Sequence, residues 1–233
     1  MSRCIVSCCY AEGRDDRYAE YADRLEASLD IHAPGIPRLI WRDEWPPDSP
    51  SHTEHNYAFK WFAVEAARQQ GHTQVLWLDA GCCAHADLAP LWASMDAHGY
   101  ALVAGDGALG AWVSDRVLEY FQTDREHAMA MSLAAGCCVG LDFTQPIARR
   151  FFSWWGELAK TTTFFAGANL RPTENQGVMR SLLTSDADGS IISLDPRVEG
   201  HRADEACFSL MMDQLGMTPL DYIDDWLPIM RTY

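Results

Sequence analysis

The sequence predicts an α/β protein, a mainly parallel Rossmann-like sheet with helices on both faces, formed as one domain over residues 1–233. Three observations lead there. Short apolar runs of strand length alternate with longer segments of helical period, the pattern of a sheet whose strands are joined by helices. A hydrophobic share of 48%, with nine tryptophans, supplies a large core for a chain of this length. Composition nowhere divides the chain into two halves, which argues for one domain.

The first strand is expected over 4–10. After a turn through Gly13, Tyr18, Tyr21, Ala22, Leu25 and Leu29 recur at helical spacing. A second strand at 38–41 runs into the proline-rich loop 45–50, which feeds a helix over 54–70. The apolar run 75–78 then stops abruptly at Asp79, followed by the small residues Ala80 and Gly81. Further on come a helix near 88–97, a strand at 100–104, a helical stretch over 114–131, a strand at 136–141 and a helix over 146–160. The segment 161–175, rich in Thr, Gly, Asn and Pro, breaks the pattern and reads as a long loop of the kind that covers a site. Asn169, Arg171 and Asn175 lie in it as polar candidates. A last amphipathic helix spans 202–215.

A formal net charge of -15 disfavours nucleic acid and anionic membranes, because no Lys/Arg cluster overrides it. No apolar run approaches the ~20 residues of a membrane span, so a soluble cytoplasmic protein is expected. The eight cysteines include the doublets Cys8-Cys9, Cys82-Cys83 and Cys137-Cys138. These do not resemble a disulfide framework and read as small, reduced, buried residues, with a zinc site near His85 as the competing account.

A strand that ends in a carboxylate places that carboxylate at the sheet edge where open α/β folds hold ligands, which singles out Asp79. A strand-ending turn acid is the competing account. Lys60 starts a helix on that same edge, with Ala63 and Ala67 on its stripe, whereas Arg68 lies at the far end. On the last helix Asp204, Phe208, Met211 and Leu215 share the buried stripe, so Asp204 is expected to face the cleft and Glu205 a neighbouring face. Both acids also suit the positive end of the helix dipole.

Taken in order, Lys60, the run from Val75 to Gly81, the segment Ala135-Gly136-Cys137-Cys138-Val139-Gly140 and the segment His201-Arg202-Ala203-Asp204-Glu205 resemble the nucleotide-sugar glycosyltransferases of GT-A fold. The glycogenin-like and galactosyltransferase-like branches are the most similar in motif order. The resemblance implies a nucleotide-sugar donor, UDP-sugar first, whose diphosphate lies against Asp79, Ala80 and Gly81. It implies Mn²⁺ or Mg²⁺ at Asp79, although Gly81 stands where that family's Asp-x-Asp motif has its second acid. Asp87 or His85 would supply a further ligand if the loop folded back. Ser7 and Tyr10 correspond to the nucleobase and ribose cradle, Lys60 to a phosphate contact, His201 to a diphosphate or metal contact, and Asp204 to the acid beside the transferred sugar, which would deprotonate the acceptor if configuration inverts or position the sugar if it is retained. Here Glu205 replaces the family's Gln.

Trp112 suits stacking on a sugar better than the helical pair Trp154 and Trp155. The acceptor is left open among a small molecule, a protein side chain and a glycan, with a nucleic-acid acceptor less favoured. The missing second acid supports the competing expectation of a non-catalytic nucleotide-sugar binding protein of the same fold.

Overall fold

A computed structural model describes residues 2–10, 17–52, 54–161, 163–165 and 192–232. Its main sheet has five strands: β1 Arg3–Cys8, β2 Arg38–Trp41, β3 Gln74–Leu78, β5 Tyr100–Ala108 and β6 Ser132–Asp142. They lie in the order β2-β1-β3-β6-β5. β1 pairs in parallel with β2 and β3, and β6 pairs antiparallel with β3 and β5. Within this sheet β6 alone opposes the common direction, so the mainly parallel α/β architecture expected from the sequence is present.

Successive strand side chains face opposite sides of the sheet, and the core divides accordingly. Cys4, Val6, Val75, Trp77 and Val139 pack under α2 (Phe59–Gln69), α6 (Pro146–Thr161) and α7 (Ala203–Leu215). Ile5, Leu76, Leu78 and Cys138 pack under α1 (Arg17–His32) and α3 (Ala89–His98). Both faces are therefore covered, as near-continuous apolar strands require.

Several expected boundaries shift for local reasons. The helix expected over 54–70 starts only at Phe59, because Tyr57 carries a left-handed φ of 57° that no regular helix admits. The stretch 114–131 forms two short helices, α4 (Asp115–Tyr120) and α5 (Arg125–Met129). Gln122 takes φ 52° between them, and Asp124 caps the second by accepting from the His127 N–H. Two three-residue strands were not expected: β4 (Cys82–Ala84) and β7 (Met230–Thr232) pair antiparallel as a small second sheet. Gly13, Asn169, Arg171 and Asn175 lie outside the described residues.

One irregularity positions the site. Leu102 pairs with Val139 but Val103 pairs with Ala135, so residues 136–138 of β6 have no partner on β5. Such a bulge releases backbone groups from the ladder on that side and re-aims them.

Gly156 on α6 lies flat under Trp61, whose indole stacks on Phe152 at 5.0 Å. A Cβ at Gly156 would meet the Trp61 ring at 2.6 Å. Overpacking of this kind costs ~1–3 kcal/mol, against the ~1 kcal/mol that alanine gains over glycine in a helix interior. Gly156→Ala should therefore lower stability in urea denaturation, and a gain in the midpoint would contradict the packing described.

Candidate active site

The turn after β3 fixes Asp79 by its backbone. Its N–H donates to the Cys137 carbonyl at 2.9 Å, and its own carbonyl accepts from the Cys82 N–H at 2.9 Å. Trp77 lies two residues earlier, on the same face of the strand, and its indole Nε1–H donates to Asp79 Oδ1 at 2.8 Å. The side chain is 34% exposed.

Lys60 projects from the first turn of α2 onto this edge and is buried. Its Nζ donates to the Gly136 carbonyl at 2.9 Å and to Asp204 Oδ2 at 2.8 Å, and lies 3.1 Å from Asp79 Oδ1. Three N–H donors thus meet three oxygens, which saturates an ammonium. The rings of Tyr57 and Trp77 close over it at 5.1 and 5.8 Å. Burial works against this charge, yet the Asp204 and Asp79 carboxylates override it and hold Lys60 above the ordinary lysine range. For Asp79 burial prevails: it raises the carboxyl above its ordinary value despite the pull of Lys60.

Asp204 opens α7 and is only 2% exposed. It packs so closely on the β6 bulge that a Cβ at position 136 would stand 2.7 Å from its Oδ2, so glycine is required there. The Gly136 N–H donates to Glu205 Oε1 at 3.4 Å. Glu205 Oε2 lies 3.2 Å from Arg202, whose guanidinium stacks on Trp112 at 4.8 Å. Burial, followed by the charge of Asp204, raises Glu205 above the ordinary glutamate range. Between these residues Ala203 holds φ 26°, a strained conformation for a residue with a Cβ.

The structure thus brings Lys60, Asp79 and Asp204 into one ion cluster, with Ala80 buried and Gly81 half-buried in the adjoining turn. Asp204 faces Lys60 inside the protein, whereas Glu205 is the more exposed of the two neighbouring acids. Ser7 is fully buried beside Cys9, while half-buried Tyr10 packs edge-on against Trp45 at 5.3 Å. His201 is buried with both ring nitrogens engaged: Nδ1 accepts from the Ser114 N–H at 3.4 Å, and Nε2 lies 2.9 Å from the Phe164 carbonyl. Asp87 lies in the turn before α3 and accepts from the Ala89 N–H at 2.7 Å. Trp155 is core, as expected. All eight cysteines are free thiols.

Sequence reasoning missed the contributions of Trp77, Tyr57 and the Gly136 peptide. Glycine within an apolar strand is the sequence mark of a bulge, and spacing of two along a strand places Trp77 beside Asp79. No such signal marks Tyr57.

For a divalent cation, the relevant donor is Asp79. Its Oδ1 is taken by Trp77 and Lys60, which leaves Oδ2 of an oriented, partly exposed carboxylate. Among the described residues no group of three metal-ligating side chains converges. This donor set fits a cation that draws its other ligands from phosphate and water, as Mg²⁺ commonly does.

No protein-family model matches the chain, and no curated protein matches it. Similar solved structures include mouse xyloside xylosyltransferase 1, at 11% identity and TM-score 0.48 over 95% of this chain and 86% of that one. A glycosyltransferase involved in glycosylation of the major capsid of PBCV-1 has 15% identity and TM-score 0.40 over 83% and 81%. Galactosyltransferase LgtC has 14% identity and TM-score 0.36 over 67% and 65%.

Replacing Lys60 by Met should leave two unpaired acids and cost about 3–5 kcal/mol at neutral pH. Lys60 has a raised folded pKa, so its contribution is complete below its ordinary value of 10.5 and declines only as pH rises through the raised one. In Lys60→Met, Asp79 loses the cation that pulls against its burial-raised pKa, and the stability that goes with its protonated form is present at low pH and lost as pH rises. The deficit against wild type should therefore shrink from pH 8 to pH 5 in urea melts. A deficit independent of pH would show that Lys60 contributes packing alone.

Proposed function

We propose that this chain is a glycosyltransferase that moves a sugar from a nucleotide-diphosphate sugar, with a UDP-sugar as the expected donor, to a hydroxyl-bearing acceptor. The observation that carries the proposal is the oriented Asp79 carboxylate at the edge of β3, fixed by a buried lysine that also fixes Asp204. Glycosyl transfer needs a diphosphate leaving group held while positive charge grows on the sugar carbon, and acids held rigidly at a ligand edge suit that need.

In this proposal Asp79 holds Mn²⁺ or Mg²⁺, which when bound offsets charge on the departing diphosphate. Lys60 acts through the acids it fixes, because its three donors are already used. Tyr10, braced by Trp45, lies beyond the end of β1 and offers a ring face to the nucleobase. Ser7 supports that edge from inside, Ala80 and Gly81 let the donor approach the turn, and His201 ties the approach to α7 to Ser114 and Phe164. The negative net charge favours a sugar, small-molecule or protein acceptor over nucleic acid. Among the described residues no helix is long and apolar enough to cross a membrane. Free thiols fit a cytoplasmic setting.

The test is thermal stabilisation by UDP-glucose, UDP-galactose, UDP-xylose and GDP-mannose, with and without Mn²⁺, followed by donor hydrolysis. At least one donor should stabilise the protein, by ~2.7 kcal/mol at a hundredfold excess over Kd. Asp79→Asn should remove the Mn²⁺-dependent part of that gain. Binding without hydrolysis or transfer would favour a non-catalytic nucleotide-sugar binding protein, and stabilisation by none of the donors would overturn the proposal.

A further inference from the structure

We propose that Cys137 and Cys82 form a peroxide-reactive thiol pair, which a hydroperoxide converts to a reversible disulfide. The proposal is independent of glycosyl transfer. Cys82 opens β4 and is fully buried, whereas Cys137 lies half-buried in the bulge of β6. Their side chains meet beside the turn that follows β3. Cys82 Sγ donates to the Cys137 carbonyl at 3.5 Å and stands in hydrogen-bond contact with the Cys137 thiol. Thr232 of β7, the register partner of Cys82, donates its hydroxyl to Cys137 Sγ at 3.9 Å.

The other thiols lack one half of this arrangement. Burial raises Cys4, Cys8, Cys9, Cys138 and Cys207 above the ordinary thiol range, which withholds the thiolate that a peroxide needs. Cys83 is half-buried, yet neighbours on a strand face opposite sides, so it points away from Cys82 and turns its thiol to the Ala84 carbonyl at 3.9 Å. Cys137 joins partial exposure to a second thiol in contact. That is the arrangement of a reactive cysteine with a resolving partner. A bland account makes every doublet a pair of small core residues, and it suits Cys82 and Cys138 but not the half-buried Cys137 between them.

Closing the bond draws the two sulfurs from contact to ~2.05 Å, so one side must yield. Residues 136–138 have no partner on β5, and a bulge is the part of a strand with room to shift. The Cys137 carbonyl accepts the Asp79 N–H, and the Cys82 N–H donates to the Asp79 carbonyl, both at 2.9 Å. The disulfide therefore ties the Asp79 turn to β6 by a covalent bond beside its hydrogen bonds.

In the first step the Cys137 sulfur takes one oxygen of the hydroperoxide as the O–O bond breaks, and the other oxygen leaves with the bonding pair and the thiol proton. The product is a sulfenic acid with water or an alcohol. The Cys82 sulfur then displaces the hydroxyl from Cys137, which departs with the Cys82 proton as water. Two thiols are oxidised and one peroxide is reduced. Hydrogen peroxide added to the folded protein should remove two of the eight thiols, counted with Ellman's reagent in urea, and dithiothreitol should restore them. Peptide mapping without reductant should find Cys82 joined to Cys137. In Cys82→Ser the sulfenic acid has no partner, so dimedone should trap it at Cys137, while Cys137→Ser should lose thiols at least ~10-fold more slowly than wild type. All eight thiols intact, a bond within either doublet in place of the one across them, or Cys137→Ser oxidised as fast as wild type would each overturn the proposal. The wild-type map decides the matter even where a serine variant fails to fold.

Discussion

An ammonium buried between two carboxylates is the constraint around which this molecule is arranged. Lys60 is buried, so its charge is tolerable only with every donor satisfied, and Asp79, Asp204 and the Gly136 carbonyl supply that satisfaction. Each partner comes from a different element: the turn after β3, the start of α7 and the bulge of β6. Loss of any one leaves a buried N–H of the ammonium unsatisfied, so the ion cluster ties the helical layer to the sheet at the edge where a ligand would sit. The remaining acid, Glu205, stands outside this closed set.

Charge accounting gives the cluster its chemical character. Asp79, Asp204 and Glu205 face Lys60 and Arg202, an excess of one negative charge when all are ionised. An anionic diphosphate does not enter such a site unaccompanied. Burial relieves part of the conflict by raising Asp79 and Glu205 toward neutrality, and a divalent cation brought with the diphosphate would relieve the rest.

Much of the fold was legible because its signals are local. The apolar runs of β1 and β3 coincide with strands to within one or two residues, since a strand buried on both faces must be apolar throughout. Lys60 and Asp79 were legible for a topological reason: crossover helices begin where parallel strands end. The stripe on α7 separated Asp204 from Glu205 correctly, but a buried stripe says only that a residue faces the interior. It does not say whether that interior is cleft or ion pair, and here it is the ion pair. β4 and β7 were not legible, because three residues carry no periodicity and their pairing depends on partners far apart in the chain. The break between α4 and α5 was hidden because Gln122 adopts a left-handed φ that its side chain does not announce.

The bulge of β6 bears on how motion would spread. On one side of residues 136–138 the ladder is locked by Val139 against Leu102, and on the other by Ala135 against Val103. A strand that slips by a single residue turns its whole apolar set to the wrong face, so both locks resist sliding. Gly136, which touches Lys60 through its carbonyl and Glu205 through its N–H, lies between them, with its β5 side unpaired. Displacement of that residue by a ligand would be absorbed within three residues, and the two halves of the strand would keep their seats in the core.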